Sequence, residues 1–341
     1  FSMFYRTDRC DYWETENLKR FDRMMEEGQN PLDIYIDEAH RREMPLLAGF
    51  RMNDRHASNE TFFETHADWL LTDLGHGVNF ELQEVQDWFF SIVEEVPNRF
   101  DVDGIELNFT RHGFCFPPST SAASHPIMTD LMRRLRQMLD EVGEKRGRHL
   151  LFGARVPPSL SGCHDLGFDI PTWIEEGLVD ILIPAANAAT DPSVDVAHFI
   201  ELCRNKPIAV YPGLDGGLPD PFVGPEDHAM KDKMRTRAIV SRYHHARADG
   251  IYAFNWHANR DSKRPLLTTI GTPETLAGTD KIYAATHRYV QREGAWRGAF
   301  RVDRIYGEVP VPIYSTQTGD GPSVTLDIAE NFDAEIPAAL T

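Results

Sequence analysis

Six times along this chain a short apolar run is followed by a polar burst and then by other elements, most often a stretch with helical spacing. The runs are Met44–Phe50, Val102–Phe109, Leu150–Val156, Val179–Pro184, Pro207–Tyr211 and Gly250–Phe254. Their β-branched and aromatic content reads as strands, and their near-continuous hydrophobicity reads as strands covered on both faces. Helical stretches surround them: 16–27, 31–42, 81–95, 127–146, 170–176, 194–203 and 227–248. Leu131, Leu135, Met138, Leu139 and Val142 form one apolar stripe, and Gly28 and Pro31 mark a helix stop and a helix start. Strand–helix alternation of this kind builds a parallel sheet sheathed in helices.

Two such architectures compete. An open doubly wound sheet places a glycine-rich phosphate turn after its first strand. Gly213, Gly216 and Gly217 follow a late strand and lack that spacing. The expectation is therefore a (β/α)8 TIM-like barrel over residues 1–295, with two of its eight strands lying near or before residue 1 or too irregular to recognise. From Pro273 the pattern changes: a helix or two reaches Tyr289, and residues 296–341 read as a β-rich segment, with Arg301–Tyr306 and Val324–Ile328 as strand candidates.

Charge and cysteines narrow the function. Lys and Arg number 35 against 53 Asp and Glu, a formal net charge of −18. No basic surplus exists to neutralise phosphates, so nucleic acid and anionic membrane are not the expected partners. No run of about 18 apolar residues is present, so no membrane span is expected. Residues 1–10 show no basic segment leading into an apolar core, and the first residue is Phe. Cys10, Cys115, Cys163 and Cys203 are too scattered for a metal-ligand pattern and are expected as thiols. Neither a cofactor nor a metal is expected.

The richest polar burst belongs to Asp101–His112. Glu106 and Asn108 lie two apart on a strand and so share a side. A carboxylate and an amide on one face of a buried strand are costly unless that face lines a site. In a barrel the site lies at the C-terminal strand ends. Those ends supply Arg51, Asn53, Asp54 and His56; Glu106, Asn108, Arg111 and His112; Arg155; Tyr211 and Asp215; and Asn255, Trp256 and His257. Carboxylates and amides hold hydroxyls, and Trp stacks on a pyranose, so this is the composition of a carbohydrate site. The surplus of Arg and His suits an anionic glycan. Glycosidic cleavage uses two carboxyl groups across the bond, and Glu106, Asp54 and Asp215 are the pool. Plainer roles stand beside these: an ion pair of Glu106 with Arg111 or Arg155, a helix cap at Asp54, an Asx-turn at Asp215, simple packing for the three histidines, whose spacing does not suggest a metal site, and a core position for Trp256.

Gly49-Phe-Arg-Met-Asn-Asp-Arg-His56, Val102-Asp-Gly-Ile-Glu-Leu-Asn108 with Arg111-His112, and Gly250-Ile-Tyr-Ala-Phe-Asn-Trp256 resemble a bacterial family of glycoside-hydrolase-like barrels, the family-10-like glycosyl hydrolases, over residues 30–280. The resemblance implies a (β/α)8 barrel, a polysaccharide or oligosaccharide substrate, and a site on the fourth, seventh and eighth strands; a periplasmic or extracellular setting is expected for the chain. It makes Val102–Phe109 the fourth strand and Pro207–Tyr211 the seventh. Many such barrels carry Asp-Gly-x-x-x-Asp on the fourth strand, the last Asp being catalytic. Here that position is Asn108, which does not ionise. Three readings follow: catalysis by Glu106 with Asp215, a catalytic Asp replaced by Asn, or a sugar-binding barrel without turnover. A sugar-acid lyase or isomerase is the alternative from another enzyme class.

Overall fold

The computed structural model describes residues 2–3, 5–12, 19–53, 64–71, 77–110, 114–185, 194–215, 225–256, 264–283 and 326–330. They fall into two compact units, one of residues 1–183 with 205–208 and the other of residues 184–204 with 209–341. The boundary expected near residue 295 lies outside the described residues.

The first unit is an α/β layer structure. A short parallel pair, β1 (Ser2–Met3) and β2 (Asp11–Tyr12), precedes α1 (Lys19–Glu26) and α2 (Pro31–Arg41). The Asn30 side chain accepts the Leu32 N–H at 3.0 Å, which caps α2. Strands β3 (Leu47–Arg51), β4 (Gly104–Asn108), β5 (Leu151–Val156) and β6 (Ile181–Pro184) then lie side by side in chain order. Strands β3, β4 and β5 are parallel neighbours. A doubly wound sheet reverses its strand order at a switch point; these four strands do not. Strand β3 begins at Leu47, three residues later than its apolar run suggested.

Between the strands run α3 (Gln83–Arg99) and α4 (His125–Arg146). Val85, Phe89, Ile92, Val93 and Val96 are the buried stripe of α3; Met128, Leu131, Met132, Leu135 and Leu139 are that of α4. Helix α4 ends at Gly147 with φ 67°, the left-handed conformation that glycine adopts without a Cβ penalty. Arg146, in its last turn, donates to the carbonyls of Pro97, Phe100 (2.6 Å) and Val102 (3.1 Å), so one guanidinium serves the end of α3 and the approach to β4. Next come α5 (Leu160–Asp165), which the sequence did not signal, and α6 (Ile170–Glu175).

Asp103, just before β4, is an anchor at the N-terminal end of the sheet. Its carboxylate accepts the Leu46 N–H at 2.7 Å, meets His40 Nε2 at 2.9 Å and lies 3.4 Å from the Arg148 guanidinium. Burial alone would raise its pKa, but the Leu46 N–H, His40 and Arg148 together hold it below the ordinary 3.8. A carboxyl whose folded pKa is depressed adds stability that is present above its unfolded value and fades as pH falls through the folded one. Asp103→Ala is expected to cost about 1–3 kcal/mol near neutral pH. The gap to the parent chain should close in acid, where the parent also loses the charge. Denaturant unfolding at about pH 7 and about pH 3 measures it, and an equal gap at both contradicts the ion-pair account.

In the second unit α7 (Val196–Cys203) packs on β7 (Ala209–Val210), and β8 (Gly213–Asp215) pairs in parallel with β9 (Tyr252–Phe254). Helix α8 (Pro225–His245) carries Ile239, Val240 and Tyr243 into a core with Val194, Val196 and Leu214. Leu266 of α9 (Arg264–Thr269) and Leu276 of α10 (Pro273–Leu276) complete that core. The Tyr243 hydroxyl donates to the Gly213 carbonyl at 3.0 Å, which keeps a buried phenol satisfied. Of the expected β-rich tail, Arg301–Tyr306 lies outside the described residues. Residues 326–330 are described and form no strand. Among the described residues no helix is long and apolar enough to cross a membrane.

Candidate functional site

The register of the first unit explains why its polar residues meet. Arg51 pairs with Asn108, and Asn108 pairs with Arg155. Two residues earlier Gly49 pairs with Glu106, and Glu106 with Gly153. Paired residues of parallel strands share a face, and residues two apart on one strand share it too. One face therefore ends in the row Arg51–Asn108–Arg155, with Glu106 one step behind it between two glycines. The opposite face carries Phe50, Ile105, Leu107, Phe152, Ala154 and Val156, all buried. The alternation is the reverse of economical for a structural sheet, since it places three charges and an amide where apolar side chains would cost nothing.

The glycines give Glu106 its surroundings. A Cβ at Gly153 would touch Glu106 Cγ at 3.6 Å, an ordinary contact, which confirms that the two share a face. A Cβ at Gly49 would meet nothing within 4 Å, and Gly49 is exposed in mid-strand.

Asn108 is held in one orientation. Its Oδ1 accepts both the backbone N–H and the hydroxyl of Thr110, each at 3.0 Å, and both residues are buried. Thr110 was not singled out from the sequence, although an Asn-x-Thr spacing just past a strand is the signature of such a local turn. Asn53 departs from expectation. Its amide donates to the carbonyls of Val78 (3.1 Å) and Phe114 (2.6 Å) and accepts the Val78 N–H at 2.9 Å. Both donors are committed to joining two loops, so Asn53 is a structural clamp in place of a sugar ligand.

The second unit holds the remaining described candidates. Asp215 is the last residue of β8, opposite Phe254. Tyr211 lies over Gly250, where a Cβ would come within 2.8 Å of its ring. Trp256 is half-buried against the core of that unit, the plainer of its two readings. Asn255 is exposed with φ 48°, a conformation asparagine tolerates well. Asp54, His56, Arg111, His112 and His257 lie outside the described residues. Cys115, Cys163 and Cys203 are buried and unbridged, and burial pushes the Cys203 thiol up to about 11. Among the described residues no group of three or more His, Cys, Asp or Glu is placed to hold a metal ion.

Residues 3–116 match the family described as glycosyl hydrolase-like 10. That span contains the Gly49–His56 and Val102–His112 stretches but ends well before the residue 280 expected from the resemblance, and Gly250–Trp256 lies beyond it. Over 101 residues the chain is 35% identical to the glycosyl hydrolase DigH of Escherichia coli K12, covering 24% of this chain and 22% of the relative. The same identity and coverage hold for DigH of Shigella flexneri. The chain thus spans about a fifth of the length of the curated relatives it matches. Among solved structures it is similar to α-L-fucosidase isoenzyme 2 from Paenibacillus thiaminolyticus, with 14% identity, a TM-score of 0.45, and coverage of 81% of this chain and 42% of that one. It is also similar to the chitinase RmChi1 from Rhizomucor miehei, with 13% identity, a TM-score of 0.42, and coverage of 70% and 85%.

Proposed function

We propose that the chain is part of a glycoside hydrolase that cleaves an oligosaccharide or polysaccharide outside the cytoplasm, and that its strands belong to a (β/α)8 barrel. The observation that carries this reading is the in-register row Arg51–Asn108–Arg155 with Glu106 behind it, at the C-terminal ends of parallel strands. In α/β barrels that end is where catalytic groups gather. Glu106 supplies one carboxyl group. Glycosidic cleavage needs a second carboxyl group beside it. The resemblance of residues 3–116 to the glycosyl hydrolase-like family supports the same reaction class.

Asn108 favours a second reading. An amide neither donates a proton to a leaving oxygen nor acts as a base, so the position where similar barrels carry an Asp is chemically silent here. The alternative is a barrel that binds glycans without turning them over. Assaying a panel of oligosaccharides with the parent chain and Asn108→Asp separates the two. A rise of about 100-fold or more in turnover identifies 108 as a replaced catalytic position. Unchanged, measurable turnover assigns the chemistry to Glu106 and its partner. Saturable binding with no turnover from either chain overturns the hydrolase reading in favour of the binding one.

A further inference from the structure

The primary amide of Asn53 stands in for a peptide group just past the end of β3. Its Oδ1 accepts the Val78 N–H at 2.9 Å and its Nδ2 donates to the Val78 carbonyl at 3.1 Å, so the backbone of one residue is paired twice, as an antiparallel partner would pair it. The second Nδ2 hydrogen goes to the Phe114 carbonyl at 2.6 Å. A backbone N–H only donates and a carbonyl only accepts, so all three contacts require the same orientation of the amide. Both donors are spent, and Asn53 is 3% exposed.

These contacts reach two different connections. Val78 belongs to the chain between β3 and α3, where Leu70 and Val78 form an antiparallel bridge and Leu71 N–H donates to the Gly77 carbonyl at 3.0 Å. Phe114 belongs to the chain between β4 and α4. Phe80 N–H joins the same two connections again by donating to the Cys115 carbonyl at 2.9 Å. The block they form is tied to the end of β4, because Met52 N–H donates to the Asn108 carbonyl at 3.1 Å. Gly77 shows how closely the junction is built. Its φ is 87°, and a Cβ there would lie 3.1 Å from both Cγ and Nδ2 of Asn53.

We propose that Asn53 is a positioning residue that couples the connections following β3 and β4, so that they hold a glycan at that end of the sheet as one block. In α/β barrels the connections after the strands line the site. The positioning role rests on the glycan-acting reading above, whereas the coupling rests on the hydrogen bonds alone. Asn53 acts through Val78 and Phe114 and does not itself touch the sugar.

The test uses the intact chain with Asn53→Asp, which keeps the shape and the acceptor for Val78 N–H but removes both donors, and with Gly77→Ala, which leaves Asn53 in place and presses on its amide. Hydrogen exchange at the Val78 and Phe80 amides reads the coupling. Neither substitution touches the Phe80–Cys115 bond, so exchange at Phe80 speeds up only if the two connections part. Both amides should exchange about tenfold faster or more in Asn53→Asp, and about threefold faster or more in Gly77→Ala, which decides the matter alone if Asn53→Asp does not fold. Phe80 exchanging at the parent rate overturns the coupling. Positioning is read from KM and kcat on a panel of oligosaccharides, or from Kd where only binding occurs, well below the melting temperature of each variant. KM or Kd should rise about tenfold in Asn53→Asp with kcat changed less than about threefold, because the groups on β4 are left in place. An unmoved KM or Kd in a variant whose connections have parted overturns the positioning role and leaves Asn53 a clamp of the scaffold. No binding of any oligosaccharide by the parent chain overturns the glycan reading and the positioning role with it, and exchange still decides the coupling.

Discussion

Glu106→Gln is expected to lower glycan turnover by about 100- to 10,000-fold while the chain stays folded. Gln has the size of Glu and keeps one acceptor oxygen while the other becomes an NH2 donor, but it neither carries charge nor gives up a proton. Glu106 stands in register between Gly49 and Gly153, and a Gln there has the volume of the Glu it replaces. The competing explanation is a structural ion pair, and it predicts the opposite split. Removing one partner of a buried pair leaves the other charge uncompensated at a cost of about 3–5 kcal/mol, so melting temperature would fall sharply. Measuring kcat on the best oligosaccharide alongside thermal unfolding separates these. Lost turnover with retained melting temperature assigns Glu106 to chemistry. A large fall in melting temperature assigns it to the scaffold. A carboxyl group at work also shapes the pH dependence of turnover, so in the active parent one limb of the pH profile should vanish in the residual activity of the variant.

How far the sequence could reveal this arrangement depends on whether a feature is local. The stripes of α3 and α4 repeat over many turns, and the expected helices match them to within a few residues at most ends. The polar face of β4 was legible because Glu106 and Asn108 sit at strand spacing in one short run. The row they join was legible only as residue types. That Arg51, Asn108 and Arg155 stand side by side is set by the register of three strands, and register is a tertiary property. Asn53 shows the same limit from the other side. It follows β3 directly, as a ligand would, yet Val78 and Phe114 claim its amide, and nothing near Asn53 in the sequence foretells either partner. Helix α5 is too short to show a period; it exists because the Ser159 hydroxyl caps Gly162 N–H at 3.1 Å and Cys163 is buried. The alternation at Val324–Ile328 suggested a strand, but Leu326 and Ile328 are each 42% exposed and residues 326–330 form no ladder. Alternation supplies a face, whereas a strand also requires a partner for its backbone.

The position that sets the register is Gly104, and Gly104→Ala is expected to be the most damaging small substitution in the first unit. Gly104 opens β4 between Leu47 and Leu151. A Cβ there would lie 2.0 Å from the Leu151 carbonyl oxygen, 2.7 Å from its carbon and 2.8 Å from its nitrogen. All three are backbone atoms, so no side-chain rotation relieves the overlap. The backbone is also tied in place, because Leu151 N–H donates to the Asp103 carbonyl at 2.8 Å and Asp103 itself is anchored to Leu46. The chain must spread β4 from β5, and overpacking of this severity costs about 3 kcal/mol or more. For a unit of this size that corresponds to a fall of about 6–12 °C in melting temperature. Gly153→Ala is the control. Its Cβ would meet the Glu106 side chain at 3.6 Å and the Ile105 carbonyl oxygen at 3.7 Å, both ordinary contacts, and the variant should melt near the parent. The two alanines therefore act on the site by different routes. Gly104→Ala pushes apart the strands that carry Glu106, Asn108 and Arg155, so glycan binding and stability should fall together. Gly153→Ala leaves the strands in place and narrows only the space beside Glu106. If Gly104→Ala melts with the parent, the close approach of β4 to β5 is wrong, and the register that brings Arg51, Asn108 and Arg155 into one row is wrong with it.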